Sequence, residues 1–209
     1  ADAFFVSFEL ANMLRRLFAE GAFNAGFVPL FARTLEGEGQ RAALAFARQA
    51  FTVMTTILLV VVLVAEIGMP WIVRILATGF DPEGERYALA VELSRITFPY
   101  LFFISLAALV SGVLNSIGRF AAAAFAPILL NLVLIGALLL ASLHPATPAH
   151  ALAWGVAVAG VLQLGMLLVV SDRLGYRILP ARPADHAKLG RLWRLVLPGA
   201  VGAGVYQIN

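Results

Sequence analysis

The chain has 209 residues, of which 61% are hydrophobic and 13% charged, with a formal net charge of +3 and no cysteine. Soluble domains are roughly 45–50% apolar and about 25% charged, so a mean hydropathy of +0.91 excludes a fold that hides its apolar surface in one water-soluble core. The lack of cysteine excludes thiol catalysis, CxxC redox chemistry and zinc–thiolate sites. The composition therefore predicts an all-α, polytopic transmembrane helix bundle.

Long stretches without Asp, Glu, Lys or Arg predict where the chain crosses the bilayer. They cover residues 49–65, 96–118 and 120–171. A bilayer-crossing helix needs about 20 predominantly apolar residues, so the third stretch has room for two spans with a turn at 144–148. In chain order, the predicted helices are 3–31, 44–67, 87–115, 121–142, 149–171 and 188–209.

The first predicted helix is apolar but carries an unusual number of ionisable residues. They are Asp2, Glu9, Arg15, Arg16 and Glu20. At about 100° per residue, all of them except Arg15 lie within about 40° of one another, and Asn12 and Asn24 flank this group. Each charge at the centre of a span costs about 2.5–3.5 kcal/mol. This face is therefore expected to line a water-filled or protein-lined cavity.

The two arginines of this helix support different interpretations. Arg16 lies seven residues after Glu9 and four before Glu20, so a structural ladder of ion pairs can explain it. Arg15 has no acid three or four residues away, and an unpaired arginine at membrane depth suits an anion. A guanidinium group matches a pair of phosphate oxygens.

The links between helices predict the orientation. Within the first link, Gly37 and Gly39 are expected to break the helix. After Pro70, residues 71–76 are expected to form a short interfacial helix ended by Gly79. Basic residues concentrate in the first, third and fifth links, which the positive-inside rule places in the cytoplasm. Residues 188–196 have the pattern of a basic amphipathic helix on the inner surface. No soluble segment is long enough to bind nucleic acid.

Other signals for chemistry are weak. The three histidines lie in links without an HExxH motif, and no glycine-rich loop follows a strand, so neither a metal nor a nucleotide cofactor is expected. Polar residues deep in the later helices, Asn115, Asn131 and Gln163, are expected to hydrogen-bond between helices.

Several motifs in this order resemble one family. They are DAFFV at 2–6, NMLRRLFAEGAF at 12–23, ITFPY at 96–100, LN at 114–115, RF at 119–120, AFAP at 124–127, LLN at 129–131, ALAW at 151–154 and GVLQ at 160–163. Together they resemble the MurJ (MviN) family of lipid II flippases along nearly the whole chain. Two positions depart from the family pattern: Glu9 stands where many members carry a basic residue, and Ala11 where proline is usual.

The resemblance implies a fourteen-helix transporter of the MATE-like superfamily, in the bacterial inner membrane, with this chain as helices two to seven of the N-terminal lobe. Such a protein moves undecaprenyl-pyrophosphate-linked disaccharide-pentapeptide (lipid II) by alternating access, without covalent chemistry or a cofactor. Its partners would be lipid II, membrane lipids, and helix one and helices eight onward of its own chain. The missing initial Met and the unflanked last apolar run suit an internal piece of a longer protein.

The resemblance also implies residue roles. Arg15 matches an essential second-helix arginine, Asp2 an essential aspartate at the outer end of that helix, and Glu20-Gly21-Ala22 a stretch near the inner gate. We interpret Arg15 and Arg16 as the pyrophosphate grip, and Asp2 and Glu20 as gate residues that form ion pairs in particular states. The residues expected to line the cavity are Glu9, Asn12 and Asn24.

Three alternatives are open. Another lipid-linked oligosaccharide flippase or a drug exporter of the superfamily would share the fold and differ in its cavity. A membrane-embedded phosphotransferase would need an acidic metal cluster near the cytoplasm, where Asp172 and Asp185 are too few and too far apart. A purely structural scaffold conflicts with the cost of placing Arg15 in the membrane.

Overall fold

The computed structural model describes residues 22–76, 81, 83–143, 148–181 and 190, and within these ranges it contains helices and no strands. The described helices are α1 (Ala22–Glu38), α2 (Gln40–Leu76), α3 (Glu85–Thr97), α4 (Tyr100–Ser116), α5 (Phe120–Leu143) and α6 (Pro148–Arg173). The predictions for 144–147, for Gly79 and for the basic segment at 188–196 lie outside the described residues, apart from Gly190.

One glycine separates the first two described helices. Gly39 has a φ of +85°, a left-handed conformation that glycine adopts without steric cost, and its N–H donates to the carbonyl of Leu35 (3.2 Å). Gly37 lies inside α1, so the predicted break at this residue is wrong. As a result α1 continues to Glu38, seven residues beyond the predicted end, and α2 begins four residues before its predicted start.

Pro70 does not end α2. The helix continues through it to Leu76, so the prediction of a separate interfacial helix at 71–76 is wrong. A proline removes one backbone donor and strains the preceding turn, but neighbouring helices in a membrane bundle can bond the affected backbone. The Tyr87 hydroxyl, from α3, donates to the carbonyl of Pro70 itself (2.6 Å), whereas the carbonyl that loses its helical donor is that of Glu66, four residues earlier.

The third predicted helix, 87–115, is divided in the structure. Residues Phe98 and Pro99 separate α3 from α4, and both keep a right-handed helical backbone. Pro99 has no N–H to donate to the carbonyl of Arg95, which weakens the ladder at this point. The two helices still form one apolar segment, Glu85–Ser116, that is long enough to span a membrane.

The described bundle has two hydrophobic clusters stacked along its axis. The inner cluster joins α1, the first half of α2, α4 and the end of α6, and its fully buried members include Phe27, Phe31 and Leu167. The outer cluster joins the second half of α2, α3 and the start of α6 around Met69 and Leu93. Phe98 and Leu101, on either side of Pro99, both belong to the outer cluster, and the buried α4 residues of the inner cluster begin at Leu106.

Four segments of the described chain are long and apolar enough to cross a membrane: Gln40–Ile75, Glu85–Ser116, Phe120–Ser142 and Pro148–Arg173. The two that carry α5 and α6 differ from their predicted bounds by two residues or fewer at either end. The helices α5 and α6 pack closely at Gly155 of α6, which has no side chain. A Cβ added to this glycine would lie 3.1 Å from the Cβ of Ala137. Small residues allow such close approach of membrane helices.

Candidate functional site

Most of the predicted site residues lie outside the described part of the chain. They are Asp2, Glu9, Asn12, Arg15, Arg16, Glu20 and Gly21. Ala22 is the first residue of α1 and Asn24 lies in its first turn, but the structure does not describe either side chain. Their roles in substrate binding and gating therefore stay predictions.

The structure does describe the helix into which the predicted site continues. α1 packs against α2 and α4, and two of its aromatic residues lie fully buried. The rings of Phe27 and Phe46 stack with centroids 5.5 Å apart, and Phe27 also contacts Phe31 at 5.8 Å. The chain that follows the predicted site is thus anchored in the inner cluster through these buried rings.

A buried glutamine links α5 to α6. Gln163 is 2% exposed, and its Nε2 donates to the carbonyl of Ala126 (2.6 Å). Ala126 lies inside α5, directly before Pro127. The structure thus gives Gln163 the interhelical hydrogen bond that the sequence predicted.

The two asparagines with the same prediction have different surroundings. The Oδ1 atom of Asn115, near the end of α4, is buried and has no hydrogen-bond partner among the described residues. Asn131, in the middle of α5, is exposed on the surface of the described bundle. For neither residue does the described structure provide an interhelical hydrogen bond.

The sequence analysis did not identify one ionisable residue that lies inside a membrane-length segment. Glu66 directly follows the first charge-free stretch, so it was expected at the end of a span that stopped at residue 67. Because α2 continues to Leu76, Glu66 instead lies inside the apolar segment Gln40–Ile75. Its Oε1 atom is buried and has no hydrogen-bond partner among the described residues. If Pro70 had been interpreted as a residue inside a continuing helix, and not as a helix end, the sequence would have placed Glu66 inside the span.

Polar contacts at the outer end hold α3 to both of its neighbours. Tyr87 bonds to α2 through the Pro70 carbonyl. On the other side, Nε2 of His150 in α6 lies 3.2 Å from Oε1 of Glu92. No three His, Cys, Asp or Glu residues come together as a metal site within the described ranges.

Residues 174–181, which we call the inner strap, follow α6 and fold back along the start of α2. The strap accepts hydrogen bonds from α2 side chains at two carbonyls: Arg48 Nε to Arg177 (2.8 Å) and Gln40 Nε2 to Gly175 (3.3 Å). The N–H of Ala181 donates to the Thr52 hydroxyl (2.8 Å). The first and fifth links therefore meet at one end of the bundle, as their shared positive charge predicted.

Comparison with known proteins identifies relatives along the entire chain. The sequence model of the family described as "Lipid II flippase MurJ" matches residues 1–209. The chain is 45% identical over 213 residues to a probable lipid II flippase MurJ of Rhizobium tropici and 39% identical over 212 residues to the lipid II flippase MurJ of Burkholderia cenocepacia. Each alignment includes 100% of this chain, and 40% and 41% of the respective relative.

A solved structure has the same fold. It is described as lipid II flippase MurJ in an inward closed conformation, and it superposes with a TM-score of 0.78 at 22% identity. The match includes 99% of this chain and 42% of the other. The chain thus spans about 40% of the length of the curated relatives it matches.

Proposed function

Because the chain belongs to the lipid II flippase MurJ family, we propose that it supplies the N-terminal lobe of a transporter for the lipid-linked peptidoglycan precursor. The transporter moves undecaprenyl-pyrophosphate-linked disaccharide-pentapeptide across the bacterial inner membrane by alternating access. It is a multi-pass membrane protein and a transporter, not an enzyme.

The observation that carries this proposal is the family match over all 209 residues. The described bundle supports it with four membrane-length helical segments and with the fold of a MurJ structure. The matched relatives are named as lipid II flippases, which favours this substrate over a drug or another lipid-linked oligosaccharide.

In the proposed mechanism Arg15 binds the pyrophosphate, and Arg16 assists it. A carboxylate that pairs with an arginine in one state competes with pyrophosphate for it, and this supplies the differential binding that alternating access needs. Asp2 is proposed to make such a pair at the outer gate and Glu20 at the inner gate. Gly21 and Ala22, which follow Glu20, are proposed to be part of that inner gate.

The test compares alanine at the two arginines in the complete protein. Arg15→Ala is expected to abolish flipping and leave folding nearly intact, because removing an unpaired charge from the membrane relieves strain. Arg15→Lys is expected to be badly impaired, since an ammonium cannot reproduce the bidentate fork. Arg16→Ala is expected to destabilise the protein by about 3–5 kcal/mol, because it leaves buried acids without their partner.

Two measurements are needed for each variant: the accessibility of lipid II on the outer leaflet and the thermal stability in detergent. Flipping at the parent rate by Arg15→Ala would remove this residue from the site. Equal loss of stability in both alanine variants would favour the structural ladder of ion pairs over pyrophosphate binding.

A further inference from the structure

The inner strap leaves α6 in a fixed direction. Gly175 has a φ of +82°, a left-handed conformation that favours glycine. Its N–H donates to the carbonyl of Asp172 (2.9 Å), and the N–H of Tyr176 donates to the carbonyl of Ser171 (2.9 Å). These are the two hydrogen bonds of a Schellman motif. The hydroxyl of Ser171, a fully buried residue, donates in return to the Tyr176 carbonyl (2.6 Å), so the end of α6 itself sets the start of the strap.

The strap then runs along α2 with little slack. Its carbonyl at Gly175 accepts a hydrogen bond from Gln40, and its N–H at Ala181 donates to Thr52. The two strap residues are six positions apart, which is about 20 Å in an extended chain. The two α2 residues are twelve positions apart, which is about 18 Å along a helix. The two lengths match because the strap lies nearly extended and parallel to α2.

Alternate side chains of the strap point into the bundle. Ile178 is 4% exposed and belongs to the inner cluster. The ring of Tyr176 lies beside that of Phe31 in α1, with centroids 6.5 Å apart. Between them, Arg177 has an exposed side chain, and its carbonyl accepts the hydrogen bond from Arg48. The strap therefore contacts α1 as well as α2.

The helices α2 and α6, which the strap joins, do not pack closely on each other. The helix α4 packs against both of them, but their own backbones have little direct contact within the described bundle. At the inner end, the direct connection between α2 and α6 is therefore made by the strap.

Thr52 is the α2 contact at which the strap reaches furthest from the inner end. It lies in the charge-free stretch 49–65, where extended backbone needs hydrogen-bond partners from the protein. Its hydroxyl donates to the Arg48 carbonyl (2.9 Å) and accepts the Ala181 N–H (2.8 Å). The Thr56 hydroxyl, one turn further, donates to the carbonyl of Thr52 (3.0 Å) and accepts no bond from the strap. The two threonines therefore make the same bond within α2 and differ in the bond to the strap.

We propose that the inner strap is a clasp, held to α2 by the Thr52 hydroxyl, that keeps α1, α2 and α6 together as one body at the inner end. The link toward the next predicted helix then starts from Ala181 on the flank of α2, so a displacement of this link acts on three helices and not on the end of α6 alone. This inference goes beyond the proposed function, since it requires neither lipid II nor flipping, and its test reads the strap directly.

The first measurement is the hydrogen exchange rate of the Ala181 amide in the complete protein in detergent, resolved to single residues by mass spectrometry. Thr52→Val removes the acceptor of this N–H with little change of shape, so exchange is expected to be about two- to tenfold faster than in the parent. The matched control Thr56→Val removes the same kind of bond within α2 and should leave the rate unchanged. Thr52→Ser keeps a hydroxyl and should exchange at the parent rate.

The second measurement is the distance between spin labels on α2 and α6. The labels are attached to Ala45→Cys and Val169→Cys, which are exposed positions near the inner ends of the two helices. Residues 1–209 contain no cysteine of their own, and any cysteine elsewhere in the complete protein is replaced by serine. Pulsed electron paramagnetic resonance then gives the distribution of distances between the labels.

The double variant Arg48→Gln/Thr52→Val removes two of the three hydrogen bonds between α2 and the strap. We expect its distance distribution to be broader than that of the parent and to extend to longer distances. The matched double variant Arg41→Gln/Thr56→Val changes two exposed side chains of α2 that form no hydrogen bond to the strap. Its distribution should be that of the parent.

Three results would overturn the proposal. Equal exchange rates in Thr52→Val and Thr56→Val would show that the Thr52 hydroxyl does not hold the strap. Faster exchange in Thr52→Ser would show that packing of the methyl group, and not the hydrogen bond, protects the Ala181 amide. An unchanged distance distribution in Arg48→Gln/Thr52→Val would show that α6 is held to α2 without the clasp.

Discussion

A single added methyl group at Gly160 tests whether α4 and α6 pack as the structure shows. Gly160 is buried in α6, and a Cβ at this position would lie 2.8 Å from Cδ2 of Tyr100 and 3.1 Å from Cβ of Phe103. Tyr100 is 4% exposed, so its ring is enclosed, and the Cβ of Phe103 moves only with the backbone. Gly160→Ala must therefore push the two helices apart.

The magnitude follows from two opposing effects. Forcing an extra methyl group into a packed interior costs about 1–3 kcal/mol. Alanine also favours the helix over glycine by about 0.8–1.0 kcal/mol. Gly165→Ala gives the second effect alone, because Gly165 lies on the same helix, is exposed, and has no atom within 4 Å of its added Cβ. Comparing the two variants therefore isolates the first effect. The difference in stability between the two alanine variants is expected to be about 1–3 kcal/mol.

The assay is the midpoint of thermal unfolding of the complete protein in detergent, followed by loss of the monodisperse peak. Gly165→Ala should match or slightly exceed the parent, and Gly160→Ala should fall a few degrees below Gly165→Ala, the direction that this loss of stability gives. Equal midpoints for the two variants would mean that α4 and α6 are not in the close contact described, and would refute the reasoning.

Two more predictions concern the seam between α5 and α6 and the orientation of the bundle. Gln163→Leu keeps the volume but removes the side-chain donor to the Ala126 carbonyl, so we expect a loss of stability of about 0.6–1.7 kcal/mol, measured as a lower unfolding midpoint in detergent. An unchanged midpoint would show that this hydrogen bond does not stabilise the fold. Single cysteines at Gly37 and Ala181 should react with an impermeant thiol reagent only from the cytoplasmic side, and those at Gly84 and Ala146 only from outside. Labelling of position 37 from outside would reverse the topology.

Hydropathy alone predicted the membrane class and the approximate position of the spans. The predicted bounds of α5 and α6 lie within two residues of those in the structure, because hydrocarbon excludes charge whatever the neighbouring helices are. The same reasoning marked the charged residues of the first helix as a candidate site, since charges stand out in an apolar segment before any contact is known. The positive charge of the alternate links likewise predicted that the first and fifth links share one end of the bundle.

Tertiary structure decided what each proline does and which polar groups meet. The local sequence does not distinguish Pro70, which α2 passes through, from Pro99, which divides the next span, because the outcome depends on donors and packing from other helices. Continuation through Pro70 also places Glu66 inside a membrane segment. The partners of Gln163 and of the inner strap lie 37 and up to 135 residues away along the chain. Sequence periodicity reports the exposed and buried faces of each helix, but a hydrogen bond between helices depends on their relative position, which only the packed bundle determines.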